Sequence, residues 1–243
     1  MITYNEVNHI DDVIKNINFA DEIIVIDSFS TDGTIDKLKN HKNVTVICHE
    51  FKNFTDQRNF ALQQASHDWV LFIDADERIT PSLKKEIINE VNKPYNDIVG
   101  FMFRRVFYFN QKRIRFSGFQ TDTTYRLFQK EFIKYNEAKI VHEMPLIKGE
   151  SKILKSKMLH YFIDNAAHYK SKMEHYASLK ALELYEKGKK PNLFHFYFKP
   201  FYKFIYNYFI RLGVLDGKDG FTLCYLSAYG VYFRYVELKK LYS

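Results

Sequence analysis

Two carboxylates spaced i, i+2 close the run Val70-Leu71-Phe72-Ile73-Asp74-Ala75-Asp76-Glu77. A buried strand does not normally end in charge. Side chains along a strand alternate faces, but where the strand breaks into a turn both carboxylates can converge on one ion. Hard oxygen donors of this kind suit Mg²⁺ or Mn²⁺, which bind through one or two protein carboxylates and leave positions for substrate phosphates. Alone the triplet is a weak signal, because most short acidic triplets are solvated turns.

A second apolar run ends the same way. Glu22-Ile23-Ile24-Val25-Ile26-Asp27 reads as a strand buried on both faces of a parallel sheet. The hydroxyl-rich segment Ser28-Phe29-Ser30-Thr31-Asp32-Gly33-Thr34 follows, in which Thr31 or Asp32 is the expected cap of a helix from about Thr34 to Asn40. In open α/β sheets ligands bind outside the carboxyl ends of the strands, so two strands deliver Asp27, Asp74 and Asp76 to one edge. Asp27 has an equally simple alternative role, capping its own turn.

The elements that must position these residues alternate in type. The pattern predicts helices over 8–18, 55–66 and 80–91, and strands over 22–27, 44–49 and 70–74. Thr80 is the expected N-cap of the third helix, with Pro81 at its first position. Strands alternating with helices imply βαβ units and a mostly parallel sheet. Beyond Asn92-Lys93-Pro94 the character changes, with longer strands at 99–109 and 123–129 joined by the basic stretch Gln111-Lys112-Arg113-Ile114-Arg115. Ala167 to Lys187 reads as a helix ending at Gly188. The division expected is 1–92 and 93–165 as two halves of one α/β domain, with 166–243 a helical extension.

With 243 residues, 46% of them hydrophobic and 27% charged, the chain is globular rather than disordered. A net charge of +7 suits nucleic acid, an anionic membrane or a phosphorylated substrate without choosing among them. Cys48 and Cys224 are too few and too far apart for a disulfide scaffold or a thiolate zinc site, so a reduced, cytoplasmic setting is the default. There is no apolar run of 18 residues and no recognisable leader. Aromatic residues crowd one region: ten of the sixteen positions from Phe194 to Phe209 are Phe or Tyr, too many for a single helical stripe. The sequence lacks G-x-G-x-x-G, G-x-x-x-x-G-K-[ST], G-x-S-x-G and H-E-x-x-H, so dinucleotide, P-loop, α/β-hydrolase and zinc-protease chemistries lose their usual supports.

Together, Thr3-Tyr4-Asn5-Glu6, Ala20 to Ser28 with Ser30-Thr31-Asp32-Gly33-Thr34, Gln57-Arg58-Asn59 and Trp69 to Glu77 resemble family 2 glycosyltransferases of the GT-A fold. The later segments Tyr125-Arg126-Leu127-Phe128, Val141-His142-Glu143 and Arg211 to Gly217 resemble a narrower branch, the bacterial glucosyltransferases that extend the heptose of the lipopolysaccharide inner core. Two departures stand out. The family usually carries several apolar residues before the Thr-Tyr-Asn-Glu segment, so the first strand is either truncated or begins upstream. Phe29 stands where a Gly is usual.

The resemblance implies a metal-dependent transfer of a hexose, glucose in the first instance, from a UDP-sugar to a lipid-linked saccharide. Thr3, Tyr4 and Glu6 would line the nucleotide pocket, and Asp27 would accept a hydrogen bond from uracil or ribose. Arg58 would lie near the base or diphosphate unless it is a helix-surface arginine. Asp74 would face the ribose, and Asp76 would ligate Mg²⁺ or Mn²⁺. Inverting transfer needs a group to take the acceptor's proton; the candidates are Glu143 first, then Asp122 and His142. His160 is either a diphosphate or metal neighbour or a packed structural histidine.

The partners expected are a UDP-sugar, a lipid-linked acceptor and the anionic inner face of the cytoplasmic membrane, which the aromatic, basic tail would meet, with no nucleic acid. The same rings packed into the core or a dimer contact is the competing expectation. Transfer to another cell-surface glycan, a nucleotide-sugar nucleotidyltransferase and a basic RNA-binding module are the alternative functions.

Overall fold

The computed structural model describes residues 1–93, 97–135, 145–163 and 165–242. The chain divides into two compact units, Met1–Arg105 with Asp122–His160, and Val106–Thr121 with Tyr161–Ser243.

In the first unit β1 (Ile2–Thr3), β2 (Ile23–Asp27) and β3 (Val44–Cys48) form the expected parallel sheet. Helices α1 (Ile10–Asn16), α2 (Thr34–Lys39) and α3 (Phe54–Gln64) connect these strands and lead to the next. The β-branched run of β2 is buried almost throughout, as a strand covered on both faces must be. α2 departs from its expected cap. Its N-cap is Gly33 at φ 93°, and Asp32 works from one residue further out, accepting from the Thr34 amide at 3.0 Å and its hydroxyl at 2.6 Å.

The strand expected over 70–74 is shorter and earlier. β4 (Trp69–Leu71) stops three residues before Asp74 and, rather than extending the parallel sheet, pairs antiparallel with β8 (Thr123–Gln129). A short β5 (Glu77–Ile79) follows, then α4 (Pro81–Val91), whose Thr80 cap accepts from the Leu83 amide at 3.2 Å as the sequence predicts. The second sheet has the order β4-β8-β6-β11-β5, with β6 (Ile98–Phe109) and β11 (Glu150–Ile163) as its long members. β9 (Ile133–Tyr135) and β10 (Pro145–Ile147) form a separate hairpin pair. The core of this unit lies between the helices and the sheets, around Val25, Ile73, Leu83, Phe101, Phe103 and Leu127.

In the second unit β6 turns through Asn110 and Gln111, both at positive φ, into β7 (Lys112–Ile114), so the basic stretch is a two-residue hairpin. α5 (Ala166–Glu186) ends at Gly188, φ 65°, with Gly188 donating to the Tyr185 carbonyl and Lys189 to that of Leu184; these two bonds define a Schellman stop. α6 (Leu193–Ile205) runs into a π-helical turn, Tyr206–Ile210, and a 3₁₀ turn, Gly213–Asp216, precedes α7 (Gly217–Lys240). Ala177 and Ala181 are buried on α5, and Gly230 lets α7 approach Met173. No helix among the described residues is long and apolar enough to cross a membrane.

Gly220 sets the closest approach: a Cβ there would lie 2.1 Å from the Gly213 carbonyl oxygen. Gly220→Ala is therefore expected to lower stability by about 1–3 kcal/mol or more through overpacking against backbone. Gly188→Ala, with open space around it, loses about 1 kcal/mol to left-handed strain alone. Urea unfolding of the two variants measures the difference; equal losses would contradict the packing account.

Candidate active site

The turn between β4 and β5 carries the acidic triplet, and backbone and side chains hold it closed. The Glu77 amide donates to the Asp74 carbonyl at 3.0 Å, and the Asp74 amide donates to Glu77 Oε2 at 3.1 Å. Arg78 Nη1 donates to the carbonyls of Ala75 at 2.7 Å and Glu77 at 2.8 Å. On the far side Asn16 of α1 clamps Ile79 with two hydrogen bonds, at 2.7 and 3.0 Å. Asp76 thus projects from a turn whose flanks are fixed.

A buried ion cluster lies beneath that turn. Arg126, in the middle of β8 and only 4% exposed, donates to Asp74 and, at 2.7 Å, to the fully buried Glu77. Arg105 of β6 stands 3.7 Å from Glu77 and 2.5 Å from Asp122. Arg58 of α3 is 3.5 Å from Asp74 and lies over the rings of Phe72 and Tyr135. Burial would raise the Asp74 carboxyl, but Arg126 and Arg58 outweigh it and hold that group well below the usual carboxylate range. Burial pushes Glu77 the other way, above its ordinary value, with Arg126 opposing. Two carboxylates around one guanidinium are driven apart, as coupled acids in a dry site must be.

His160 of β11 is buried, and its Nε2 lies 3.1 Å from Asp76 Oδ2. Among the described residues no group of three or more His, Cys, Asp or Glu side chains gathers as a ready-made metal site. One carboxylate oxygen beside one imidazole nitrogen still fits an ion that takes its remaining ligands from a diphosphate and water.

The other strand end is built by the loop after β2. Asp27 is fully buried, and its two oxygens accept from the Ser30 amide at 2.7 Å and hydroxyl at 2.6 Å, so it caps its own turn; each oxygen keeps a second lone pair. Thr3 lies opposite Asp27 in the β1–β2 register, and its carbonyl accepts from the Ser28 amide. Phe29 adopts φ 61°, so the turn that usually takes Gly is preserved in left-handed backbone, with the ring 58% exposed. Tyr4 is equally exposed, and the Glu6 amide donates to Thr34 Oγ1 at 2.8 Å. α3 reaches both strand ends through neighbours: Gln57 donates to Ser28 Oγ at 2.6 Å, while Arg58 faces Asp74. The Thr3 hydroxyl and Gln57 Oε1 are buried with no hydrogen-bond partner among the described residues, as polar atoms awaiting a ligand would be.

The structure therefore connects Arg58, Asp74 and Asp122 through ion pairs and places Asp76 against His160. It places Thr3, Tyr4, Glu6 and Asp27 around the β1 and β2 ends. His142 and Glu143 lie outside the described residues. Glu77, Arg105, Arg126 and Gln57 carry the arrangement without having been given roles from sequence. An arginine flanked by apolar residues inside a strand, as in Tyr125-Arg126-Leu127-Phe128, is the signal that pointed to one of them.

A parallel β-α sheet ending in Asp27, a mixed sheet that carries the acidic turn, and a helical C-terminal region give the architecture of a GT-A glycosyltransferase. A mannosyltransferase from Pyrobaculum calidifontis, solved with GDP-Man and Mn²⁺, superposes with a TM-score of 0.51 at 15% identity, covering 98% of this chain and 85% of that one. The sequence profile described as Glycosyl transferase family 2 matches residues 1–151, and the chain belongs to that family. An "uncharacterized glycosyltransferase" of Rickettsia felis is 27% identical over 256 residues, covering 99% of this chain and 88% of its own length. The lipopolysaccharide core biosynthesis glycosyltransferase LpsC of Rhizobium meliloti is 26% identical over 247 residues, covering 97% of this chain and 91% of its own. Membership displaces the nucleotidyltransferase and RNA-binding alternatives.

Arg126→Met is expected to destabilise the protein by about 3–5 kcal/mol, because it leaves the fully buried Glu77 and the half-buried Asp74 without their shared cation. Adding Glu77→Leu should recover part of that loss by removing one of the stranded charges. Urea unfolding of the single and double variants measures both. An Arg126→Met protein as stable as the parent would remove the cluster from its structural role.

Proposed function

We propose that this glycosyltransferase moves a hexose, glucose in the first instance, from a UDP-sugar to a lipid-linked saccharide of the lipopolysaccharide-core type, with inversion at the anomeric carbon. The observation that carries the reading is Asp76 held beside His160 at the rim of a cluster of three arginines, Arg58, Arg105 and Arg126. A diphosphate leaving group needs that balance of cation ligands and positive charge. The similarity to LpsC supports the acceptor class.

In this reading Thr3, Tyr4, Glu6 and Asp27 bind the nucleoside, and Arg58 steers the diphosphate. Asp74, pinned by Arg126 and Arg58, orients the ribose. Asp76, with His160 at its side, would hold Mg²⁺ or Mn²⁺, whose charge offsets that developing on the departing UDP. The acceptor hydroxyl attacks the anomeric carbon, the bond to the diphosphate oxygen breaks, and the proton passes to a carboxylate. Glu143 takes that proton, since Asp122 already accepts from Arg105. The test is a screen of UDP-sugars for UDP release with and without divalent metal. Asp76→Ala is expected to abolish release while urea stability stays near the parent's; full activity of that variant, or of the parent in EDTA, would sink the assignment.

We further propose that α6 seats the enzyme on an anionic membrane. Leu193, Phe194, Tyr197, Phe198, Phe201 and Tyr202 are between 51% and 75% exposed. Phe194, Phe198, Tyr202 and Tyr206 stack along that face at i, i+4 spacing. Its opposite side packs on α7 through Phe196, Lys199 and Phe204. An apolar face this continuous fits an interface of ring bodies and wet hydroxyls. Flotation with vesicles containing phosphatidylglycerol is expected to carry the full-length protein upward. A variant with Tyr197, Phe198 and Phe201 changed to Ser should stay behind. Equal flotation of the two, or none, would exclude α6 as the anchor.

A further inference from the structure

The segment Arg211 to Gly217 has a place in the sequence resemblance but no part in the chemistry above. Its first residue, Arg211, lines a cavity of about 320 Å³ lying wholly within the second unit, with Ser117, Thr121, Tyr169, Lys203 and Asn207 among the other lining residues. That volume is at the lower end of the range for small-molecule sites.

Its lining is rich in donors. Asn207 is 5% exposed and lines the cavity. The Lys203 side chain also lines it, on the last turn of α6. Burial lowers its ammonium below the ordinary range, with Cys224 opposing and Arg234 and Arg211 adding repulsion. Arg211 spends one Nη on Thr121 Oγ1, at 2.7 Å, and leaves a buried Nε unpartnered. The neighbouring carboxylate offers no relief: Asp216 is already taken by the amides of Arg115 and Phe116 and by the Ser117 hydroxyl, at 2.8–3.0 Å. The backbone is shaped to present these groups. Asn207 and Lys203 flank the start of a π-helical turn, a feature common at functional sites. Ser117 and Leu212 are held at φ 61° and 55°, strain that surrounding structure must maintain.

We propose that this cavity binds a phosphate group, held by Lys203, Arg211 and Asn207. Two partly buried cations, neither ion-paired with Asp216, favour a polyanionic ligand, and a phosphomonoester offers more charge and more acceptor oxygens than a single carboxylate. Donors converging from a lysine, an arginine fork and an amide suit the three outer oxygens of a tetrahedral anion. The group can arrive on a phosphorylated saccharide, on a lipid headgroup, or as free phosphate. The site is built from second-unit residues alone and shares none with the donor chemistry above, so neither reading depends on the other.

Calorimetric titration of the full-length protein with glucose 6-phosphate, inorganic phosphate and glucuronate tests it, alongside flotation on neutral vesicles with and without phosphatidylglycerol. At least one phosphate-bearing probe is expected to bind, with Lys203→Met and Arg211→Gln each weakening it about tenfold or more, and Lys203→Arg retaining most of the affinity. Tighter binding of the sugar phosphate marks the saccharide as the source, and a Lys203-dependent gain from phosphatidylglycerol alone marks the headgroup. Equal affinity for inorganic and sugar phosphate marks the free ion. UDP binding should be unchanged in every variant; its absence from the parent would sink the transfer reading and leave this one standing. Where Lys203→Met does not fold, Asn207→Asp places a competing carboxylate at nearly the same size and should give the same loss. Glucuronate binding as tightly as phosphate, or any phosphate binding that ignores all these substitutions, would overturn the proposal.

Discussion

The candidate active site depends on a cation that never meets solvent. Arg126 stands in the middle of β8 with Asp74 on one side and Glu77 on the other, and the strand that carries it also pairs with β4. One guanidinium therefore fixes the sheet register, the closure of the acidic turn and the charge state of that turn's carboxylates. A buried ion pair of this sort contributes little net stability over an apolar equivalent, yet its disruption is severe. Its use here is positional, since it presents Asp76 from a turn that cannot open without stranding charge.

Around that fixed centre the two strand ends are tied together by one helix. Gln57 and Arg58 are adjacent on α3, yet one reaches Ser28 after β2 and the other Asp74 after β4. Preorganisation of this kind is what a site for a diphosphate leaving group requires, because little covalent chemistry falls to the protein beyond positioning and electrostatics. In the second unit the arrangement differs in kind. An aromatic face on α6 lies outward, and the cationic cavity sits behind the π-helical turn that follows it. Both features are suited to an amphiphilic, anionic molecule rather than to a nucleotide.

Much of this was legible in the residues because the signals were local. The Thr80-Pro81 start of α4, the Gly188 stop of α5 and the bounds of β8 each follow from capping or strand patterning within a few positions. Non-local pairing was not legible. An apolar run through Ile73 predicts a longer strand, but β4 ends at Leu71 because its pairing with β8 ends there, leaving only the Phe72 amide to reach the Arg126 carbonyl. The cap of α2 was misread by one position, since Asp32 serves the helix while Gly33 supplies the left-handed turn. The apolar neighbours of Arg126 marked it as unusual for a strand, but its two carboxylate partners, 49 and 52 residues away, were not legible.

The bonds that Asp216 makes to Arg115, Phe116 and Ser117 join segments about a hundred residues apart. During synthesis at about 5–20 residues per second, the earlier segment emerges some 5–20 s before its partner exists. Throughout that interval Phe107, Phe109 and Ile114 lack the part of their cover that Leu223 and Leu226 of α7 provide. The order of translation thus leaves the β6–β7 hairpin incompletely covered until α7 emerges, and slow elongation between residues 121 and 217 lengthens the interval in which it is open to aggregation.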